Sequence, residues 1–393
     1  MTRSLRTALL GAVLLAAGGV ALATGALPVT DATAVASRVW PILLFVVAIT
    51  VVAELATAAG LFDAIAAAAA RAGRRRGWVL WLLIALLATL STVFLSLDTT
   101  AVLLTPIVVV LARRVGLSPL PFAITTVWLA NTASLLLPVS NLTNLLAEQH
   151  VGGITPGGFA AAAWPAQVVG VAVPLVFIAV LFRRELGRRY TDPGPVRIVD
   201  LRLTIISAVV LVLLIVGLVS GVAVWMPASA AAVVLLVAFA VLRSDEISLR
   251  LLPWPTLILV CGLFLAVAAL DAIGVRVLLE RFVPAGDGLP ALLGVAAVGG
   301  IAANVTNNLP AYLAVEPATH GLLPTLALLV GVNAGPLITP WASLATLLWH
   351  ERLQRLDVEV RWRSYVLWGC VLAPVTAVLA VCAMSVVAGT ISA

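Results

Sequence analysis

Hydrophobic positions fall in blocks of membrane length along most of the chain. Apolar stretches able to cross a hydrocarbon core of about 30 Å lie at 8–27, 39–58, 158–182, 203–220, 224–242, 254–272 and 364–389. Two further segments, 119–147 and 323–349, are too long for one simple span, and each carries a polar run in its middle. The first reads Asn131-Thr-Ala-Ser134-Leu-Leu-Leu-Pro138-Val-Ser140-Asn141-Leu-Thr-Asn144. The second reads Asn333-Ala-Gly-Pro-Leu-Ile-Thr339-Pro340-Trp-Ala-Ser343-Leu-Ala-Thr346 and is a weakened copy of the first. Leucine matches are cheap in such a chain, so Asn aligned with Asn and Pro with Pro carry the comparison. A helix holding proline and a cluster of amides cannot run unbroken through lipid; it breaks where neighbours or a cavity satisfy the freed backbone groups. Two such breaks, one per half, point to a transporter built from repeats, with its binding site between them.

Two other apolar segments carry polar interruptions. Segment 78–112 is broken at Ser96-Leu-Asp98-Thr99-Thr100, and segment 288–320 at Asn304-Val-Thr306-Asn307-Asn308-Leu-Pro310. After the first interruption only residues 101–112 precede Arg113 and Arg114. As a helix that arm is about 18 Å long, too short to span. Both segments therefore read as re-entrant helical hairpins with polar tips. The expected fold is all-α and polytopic, with two inverted repeats, each holding one hairpin and one broken transmembrane helix. The amino-terminal repeat covers 1–190, a linker and connecting span 191–222, and the carboxy-terminal repeat 223–393.

Charge sets the orientation. Only 10% of residues are charged and 63% are hydrophobic, against about 25% charged in soluble domains, which excludes a cytosolic globular enzyme. The 23 basic residues are all arginine. They cluster between spans, as in loops retained in the cytoplasm, so the basic pI of about 10.2 reflects topology and not nucleic-acid binding. Arg3, Arg6, Arg71, Arg74–Arg76, Arg113, Arg114, the group from Arg183 to Arg202 that includes Arg197, Arg243, Arg250 and the group from Arg352 to Arg363 fall on one face. Only Arg38, Arg276 and Arg281 fall on the other. The amino terminus is expected in the cytoplasm and the carboxyl terminus outside, in the inner (plasma) membrane. The first apolar run resembles a signal peptide but extends to about Leu27, and it reads as a retained span. Asp63-Ala-Ile before Arg71 and Asp271-Ala-Ile before Arg281 read as short helices lying along the interface. Cys261, Cys370 and Cys382 have no metal-ligand or redox spacing and read as small core residues.

Asp98 is the sharpest single residue. An acid at the tip of a membrane-embedded hairpin is costly unless paired, protonated or facing water, and it is the candidate proton carrier; a helix-capping role with Thr99 and Thr100 is the alternative. Asn304, Thr306, Asn307 and Asn308 form the matching tip, with Pro310 placed to start a half-helix. At the broken spans Asn131, Ser134, Ser140, Asn141 and Asn144 are set against Asn333, Thr339, Ser343 and Thr346 as ligands for a polar solute or ion, and helix packing by small residues is the competing explanation there. Glu54 sits near a span end and reads as able to snorkel out, and His350-Glu351 lacks the second histidine of a zinc-protease motif. No metal and no cofactor is expected.

At these residues the chain resembles the arsenite/antimonite efflux permeases, the arsenical-pump membrane proteins of the ion-transporter superfamily. The resemblance rests on Asp98-Thr-Thr-Ala-Val-Leu-Leu-Thr-Pro106, on Thr132-Ala-Ser-Leu135 with Ser140-Asn-Leu-Thr-Asn144, on Asn307-Asn-Leu-Pro310, and on Gly335-Pro-Leu-Ile-Thr-Pro340 leading into Ser343 to Trp349. It covers nearly the whole chain and implies two helical hairpins around a central site. It further implies export of trivalent metalloid hydroxides against proton entry, sometimes with a soluble ATPase subunit as partner. The chain departs from the family where Leu97 replaces a common Asn, and where Asn131 and Asn333 replace common Asp. Asp98 is then the one obvious proton carrier. Arsenite at neutral pH is an uncharged trihydroxide, suited to Asn, Thr and Ser partners.

A sodium- or proton-coupled carrier of another small ion or carboxylate in the same superfamily is the nearest rival reading. A membrane-embedded enzyme is a distant one, because His150, His320 and His350 all fall at span ends and no nucleophile–base pair lies at depth.

Overall fold

Backbone polarity dictates the architecture, because a chain crossing hydrocarbon must satisfy its own N–H and C=O groups and helices do so within one segment. The structure is a computed structural model that describes residues 3–391 apart from 153, 192–193, 195–199 and 275–279. Among these residues no β-strand forms; an isolated bridge joins Arg76 and Arg189. The first half contains α1 (Arg3–Ala23), α2 (Val29–Ala58), the short α3 (Leu61–Ala72) and α4 (Gly77–Leu95). A single turn, α5 (Leu97–Thr99), follows and passes through a π-helical stretch, Thr100–Leu104, into α6 (Thr105–Arg114). Next come α7 (Leu120–Thr132), α8 (Leu142–His150), α9 (Pro156–Leu181) and the short α10 (Arg183–Leu186). Helix α11 (Leu201–Val219) leads to the second half: α12 (Trp225–Leu242), α13 (Trp254–Ala272), α14 (Leu289–Val305), α15 (Asn308–Val315), α16 (Leu322–Ala334), α17 (Leu344–Arg355) and α18 (Trp362–Ile391).

Seven of these, α2, α4, α9, α11, α12, α13 and α18, are long and apolar enough to cross a membrane. Their outward faces carry exposed aliphatic side chains such as Val212, Leu213, Val241 and Leu367, as a lipid-facing helix requires. Both polar-interrupted segments are broken where the polar residues stand. The hairpin arms are unequal: α4 has 19 residues and is itself of membrane length, whereas α15 has 8 residues, about 12 Å of helix. Helix α3 is a short helix at the expected place; it buries Leu61, Phe62, Ala66, Ala67 and Ala70 and ends on the basic run from Arg71. The second expected interface helix begins differently, because Asp271 and Ala272 are still part of α13. Its remainder includes residues 275–279, with Arg276, outside the described residues, as is Arg197. The three cysteines correct another expectation: Cys370 is exposed and Cys261 and Cys382 are half-buried, all with free thiols, so none is a core residue.

The helices pack in two groups. In one, α1 lies along α13, with Gly262 against the Gly11 carbonyl, and α2 lies along α12 and touches α13. In the other, α4 packs on α7, α7 on α9, α14 on α16, α16 on α18, and α9 on α18. Exchanging corresponding helices of the two halves maps α1–α13 onto α12–α2, α4–α7 onto α14–α16 and α7–α9 onto α16–α18, and returns α9–α18 to itself. An aromatic cluster ties the second group together: Trp128 of α7 meets Phe177 of α9 and Tyr365 and Trp368 of α18 at centroid distances of 5.8, 6.3 and 6.4 Å. The Trp349 indole donates to the Ala123 carbonyl at 2.9 Å, and the Tyr365 hydroxyl donates to the Pro336 carbonyl at 3.1 Å.

Both broken helices end against a glycine. Gly170 of α9 lies directly against the Thr132 carbonyl, and Gly369 of α18 against the Leu337 carbonyl, with no room for a Cβ at either place. Lipid supplies no hydrophobic force between helices, so such close approaches are what hold them. Gly170→Val and Gly369→Val should each push a closing helix off its broken partner, at a cost of about 1–3 kcal/mol. Thermal unfolding in detergent checks this: both variants should melt lower than wild type, while Gly19→Val, with open space around it, should not.

Candidate functional site

Helix α4 stops at Ser96, whose φ of 91° lies in the left-handed region that a residue with a Cβ avoids; holding it there costs about 1–3 kcal/mol. The kink restarts the chain as α5 with Asp98 in its first turn, where free N–H groups and the helix dipole favour an acid. Thr99 donates to the Leu95 carbonyl at 2.8 Å. Thr100 donates to Ser91 Oγ and receives a bond from Thr92, both at 2.9 Å, which staples the returning arm to α4. Asp98 makes no hydrogen bond or ion pair with the described residues and faces a cavity of about 210 Å³. Of the three ways to keep an acid at depth, this arrangement uses access to water. The polar wall of the cavity is Ser96, Asp98, Thr99, Asn141, Glu54, Thr50 and Thr256; the rest is mainly aliphatic, with Phe45.

The two breaks meet beside this cavity. Between α7 and α8 the chain makes an irregular link with a 3-10 turn at Pro138–Ser140, and between α16 and α17 it makes two such turns, Gly335–Leu337 and Pro340–Ala342. Asn141 Nδ2 donates across the two halves to Asn333 Oδ1 at 2.8 Å, and Asn131 Nδ2 reaches Thr346 Oγ1 at 3.3 Å. Asn141 also accepts from the Thr143 amide and so starts α8. Asn144 Nδ2 donates to the Ser134 and Leu137 carbonyls at 2.6 and 3.0 Å. Ser134 donates to the Asn131 carbonyl at 2.8 Å, and Ser140 donates to the Val93 carbonyl of α4 at 2.9 Å. These bonds satisfy the unwound backbone, yet Asn131 Oδ1, Asn144 Oδ1, Thr143 Oγ1, Ser343 Oγ and Asn333 Nδ2 are buried without a partner. An unpaired buried polar atom costs about 1–3 kcal/mol. These atoms are concentrated at the crossing of the two breaks.

The second hairpin tip is used differently. Asn304 Nδ2 donates to the Gly300 and Gly335 carbonyls at 2.9 and 3.0 Å, and its Oδ1 accepts from Thr339 at 2.7 Å. Asn307 donates to the Trp341 carbonyl at 2.9 Å, and the Trp341 indole donates back to the Asn304 carbonyl at 2.7 Å. Asn308 is buried in the first turn of α15, with the Leu309 amide on its side chain, and Thr306 is exposed. None of the four lines the cavity that holds Asp98. The structure thus gathers Asp98, Thr99, Asn141 and, through Asn141, Asn333; it leaves Thr100 as a staple and Asn304, Asn307 and Thr339 as a brace within the second half.

Glu54, read from the sequence as able to snorkel out at a span end, instead shares the cavity with Asp98. Two further participants were not among the sequence candidates. Gln167 of α9 accepts from the Leu135 amide at 3.0 Å and donates to the Ala133 carbonyl at 2.9 Å, clamping the first break; a lone amide in an otherwise apolar span was its signal. Glu316 is a buried acid, ion-paired with Arg38 at 2.7 Å. Among the described residues no group of three or more His, Cys, Asp or Glu could hold a metal.

The comparisons with known proteins agree with this architecture. A family profile described as "Citrate transporter" (CitMHS) matches residues 2–349. An "Arsenical pump membrane protein" of Escherichia coli is 30% identical over 391 residues, covering 93% of this chain and 89% of the relative. One from Yersinia enterocolitica is 28% identical over 385 residues, covering 90% and 87%. The crystal structure of the Alcanivorax borkumensis YdaH transporter superposes with a TM-score of 0.59 over 98% of each chain at 15% identity, a likeness of fold alone. Broken helices meeting at a polar crossing, a whole-length family match and relatives that are membrane pumps converge on one statement: the chain is a multi-pass membrane transporter of the CitMHS family, similar to the arsenical pump membrane proteins.

Proposed function

We propose that this transporter exports arsenite or antimonite across the inner membrane by alternating access, with protons moving inward and Asp98 as their carrier. The observation that carries the reading is Asp98, an unpaired acid at a helix break, opening on a small cavity whose other polar groups are an amide, hydroxyls and the second acid, Glu54. The cavity, at about 210 Å³, is smaller than the roughly 300–1,000 Å³ of sites for larger organic ligands. An uncharged trihydroxide needs donors and acceptors but no countercharge, which Asn141, Thr99, Thr50 and Thr256 on the cavity wall offer. The arsenical pumps among the relatives support the substrate. The reciprocal packing of the halves supports two inverted repeats, with boundaries near 190 and 223. The arginine distribution supports a cytoplasmic amino terminus and an external carboxyl terminus. A soluble ATPase subunit remains a further element of the proposal, to be sought by co-purification.

The family description favours a second reading, transport of citrate. A tricarboxylate would need cationic or donor-rich partners, and the cavity wall holds two acids and no arginine. Arsenite is therefore the first choice. Reconstituted vesicles with a proton gradient decide between them: arsenite flux without citrate flux is expected, and the reverse result would overturn the proposal.

Three variants test the site. Asp98→Asn keeps volume and capping ability but cannot titrate, so flux should fall at least tenfold and lose its dependence on pH between about 6 and 8; unchanged proton-dependent flux would make Asp98 a helix cap. Glu54→Gln should shift the pH midpoint of transport while leaving solute affinity within about twofold, because Glu54 is an ionisable neighbour of the cavity and lies on another helix. Asn141→Leu removes the bond to Asn333 and leaves a buried acceptor unpaired, at about 1–3 kcal/mol. Apparent affinity for arsenite should weaken several-fold, read from the concentration dependence of flux, in protein that still elutes as a single species.

A further inference from the structure

Helix α2 runs along the seam between the two helix groups and touches a recess at each end. Toward its carboxyl end lies the Asp98 cavity, with Phe45, Val46 and Glu54 on the α2 wall. Toward its amino end lies a second recess of about 410 Å³, with Pro41 and Ile42 from α2, Glu148 and Gln149 from α8, and Trp225 from α12. Leu145 lines both recesses. It is buried, as are Ile42 and Phe45 beside it, so an apolar wall separates the two spaces.

One cluster of charge holds that wall in place. Arg38, one turn before Ile42 on α2, forms an ion pair of 2.7 Å with Glu316 at the end of the second hairpin. The same guanidinium donates to the Leu146 carbonyl at 3.4 Å and to Gln149 Oε1 at 3.3 Å, and Gln149 donates back to the Arg38 carbonyl at 3.3 Å. Arg38 therefore grips α8 at the residue next to Leu145. Glu316 is only 3% exposed and accepts a second bond from the Tyr312 hydroxyl at 3.2 Å. His150 stands 4.0 Å away and bonds the Thr319 carbonyl at 2.8 Å. A buried carboxylate cannot lose its cation without a large penalty, so the pair binds α2, α8 and the hairpin end together at this end of the seam.

Resting on the transport reading above, we propose that Arg38 and Glu316 form a latch that keeps the Leu145 wall shut, and that the latch must open for solute to pass between the two recesses. With the pair closed, the Asp98 cavity connects only toward Glu54 and the arginine-rich face. With it open, α8 is released from α2, and Leu145 withdraws with it.

The latch is testable without any transported substrate. In a background with Cys261, Cys370 and Cys382 changed to Ala, the reporter L145C is exposed to a membrane-impermeant maleimide in sealed vesicles. Breaking the pair with R38A or E316Q should raise the labelling rate at least fivefold, and the exchanged pair R38E/E316R should return it toward the starting value. Labelling unaffected by R38A and E316Q, or equally fast in R38E/E316R, would overturn the latch. Flux supplies the second arm. R38C/E316C joined by a short bis-methanethiosulfonate should lose arsenite flux at least tenfold and regain it on reduction; undiminished flux in the joined protein would also overturn the latch. If wild type carries no arsenite while the labelling behaves as expected, the substrate assignment fails and the latch stands.

Discussion

The hydrogen bond from Asn141 to Asn333 is the contact on which the rest of this structure depends. Unwinding a helix inside a membrane frees backbone groups that lipid cannot satisfy. The chain unwinds twice and sets the two breaks against each other, so that each supplies polar partners to the other. Gln167 and Ser140 complete the first break from flanking helices, and Tyr365 reaches the second through the Pro336 carbonyl.

From this constraint follows the division of the molecule into two helix groups. The breaks need tight walls, which α9 and α18 provide by placing Gly170 and Gly369 against the broken helix ends. Helices α1, α2, α12 and α13 do not contact the breaks so closely and form their own packed set, with α2 along the boundary. The acid-bearing cavity and the Arg38–Glu316 pair both lie on that boundary, at opposite ends of α2. A seam with a polar cavity at one end and a charge cluster at the other is an arrangement in which small relative motion of the groups changes access.

The unevenness of the two hairpins is equally physical. The first tip turns at Ser96 and points its acid into the cavity, whereas the second tip turns at Asn307 and spends its amides on Trp341 and Gly335. Repeated topology therefore carries unequal chemistry: one tip presents a titratable group and the other braces the fold.

Much of this was written in the sequence, because local rules govern it. Membrane-length apolar runs, proline with amides at the two breaks and arginine clusters between spans identify the helices, the interruptions and a transporter. They also single out Asp98 and Asn141, since an acid or amide at hydrocarbon depth is costly wherever its partners lie. Which candidates would meet was beyond them. Asn141 and Asn333 are distant in sequence, and whether Asn304 faces a cavity or its own half depends on helix rotation that periodicity in an all-apolar span does not encode. Glu54 resembled a boundary residue until packing put it on the cavity wall, and packing likewise buried Glu316 beside Arg38. Sequence determined where the chain must break; tertiary structure decided which polar groups the breaks share, because only three-dimensional packing brings the partners within hydrogen-bonding distance.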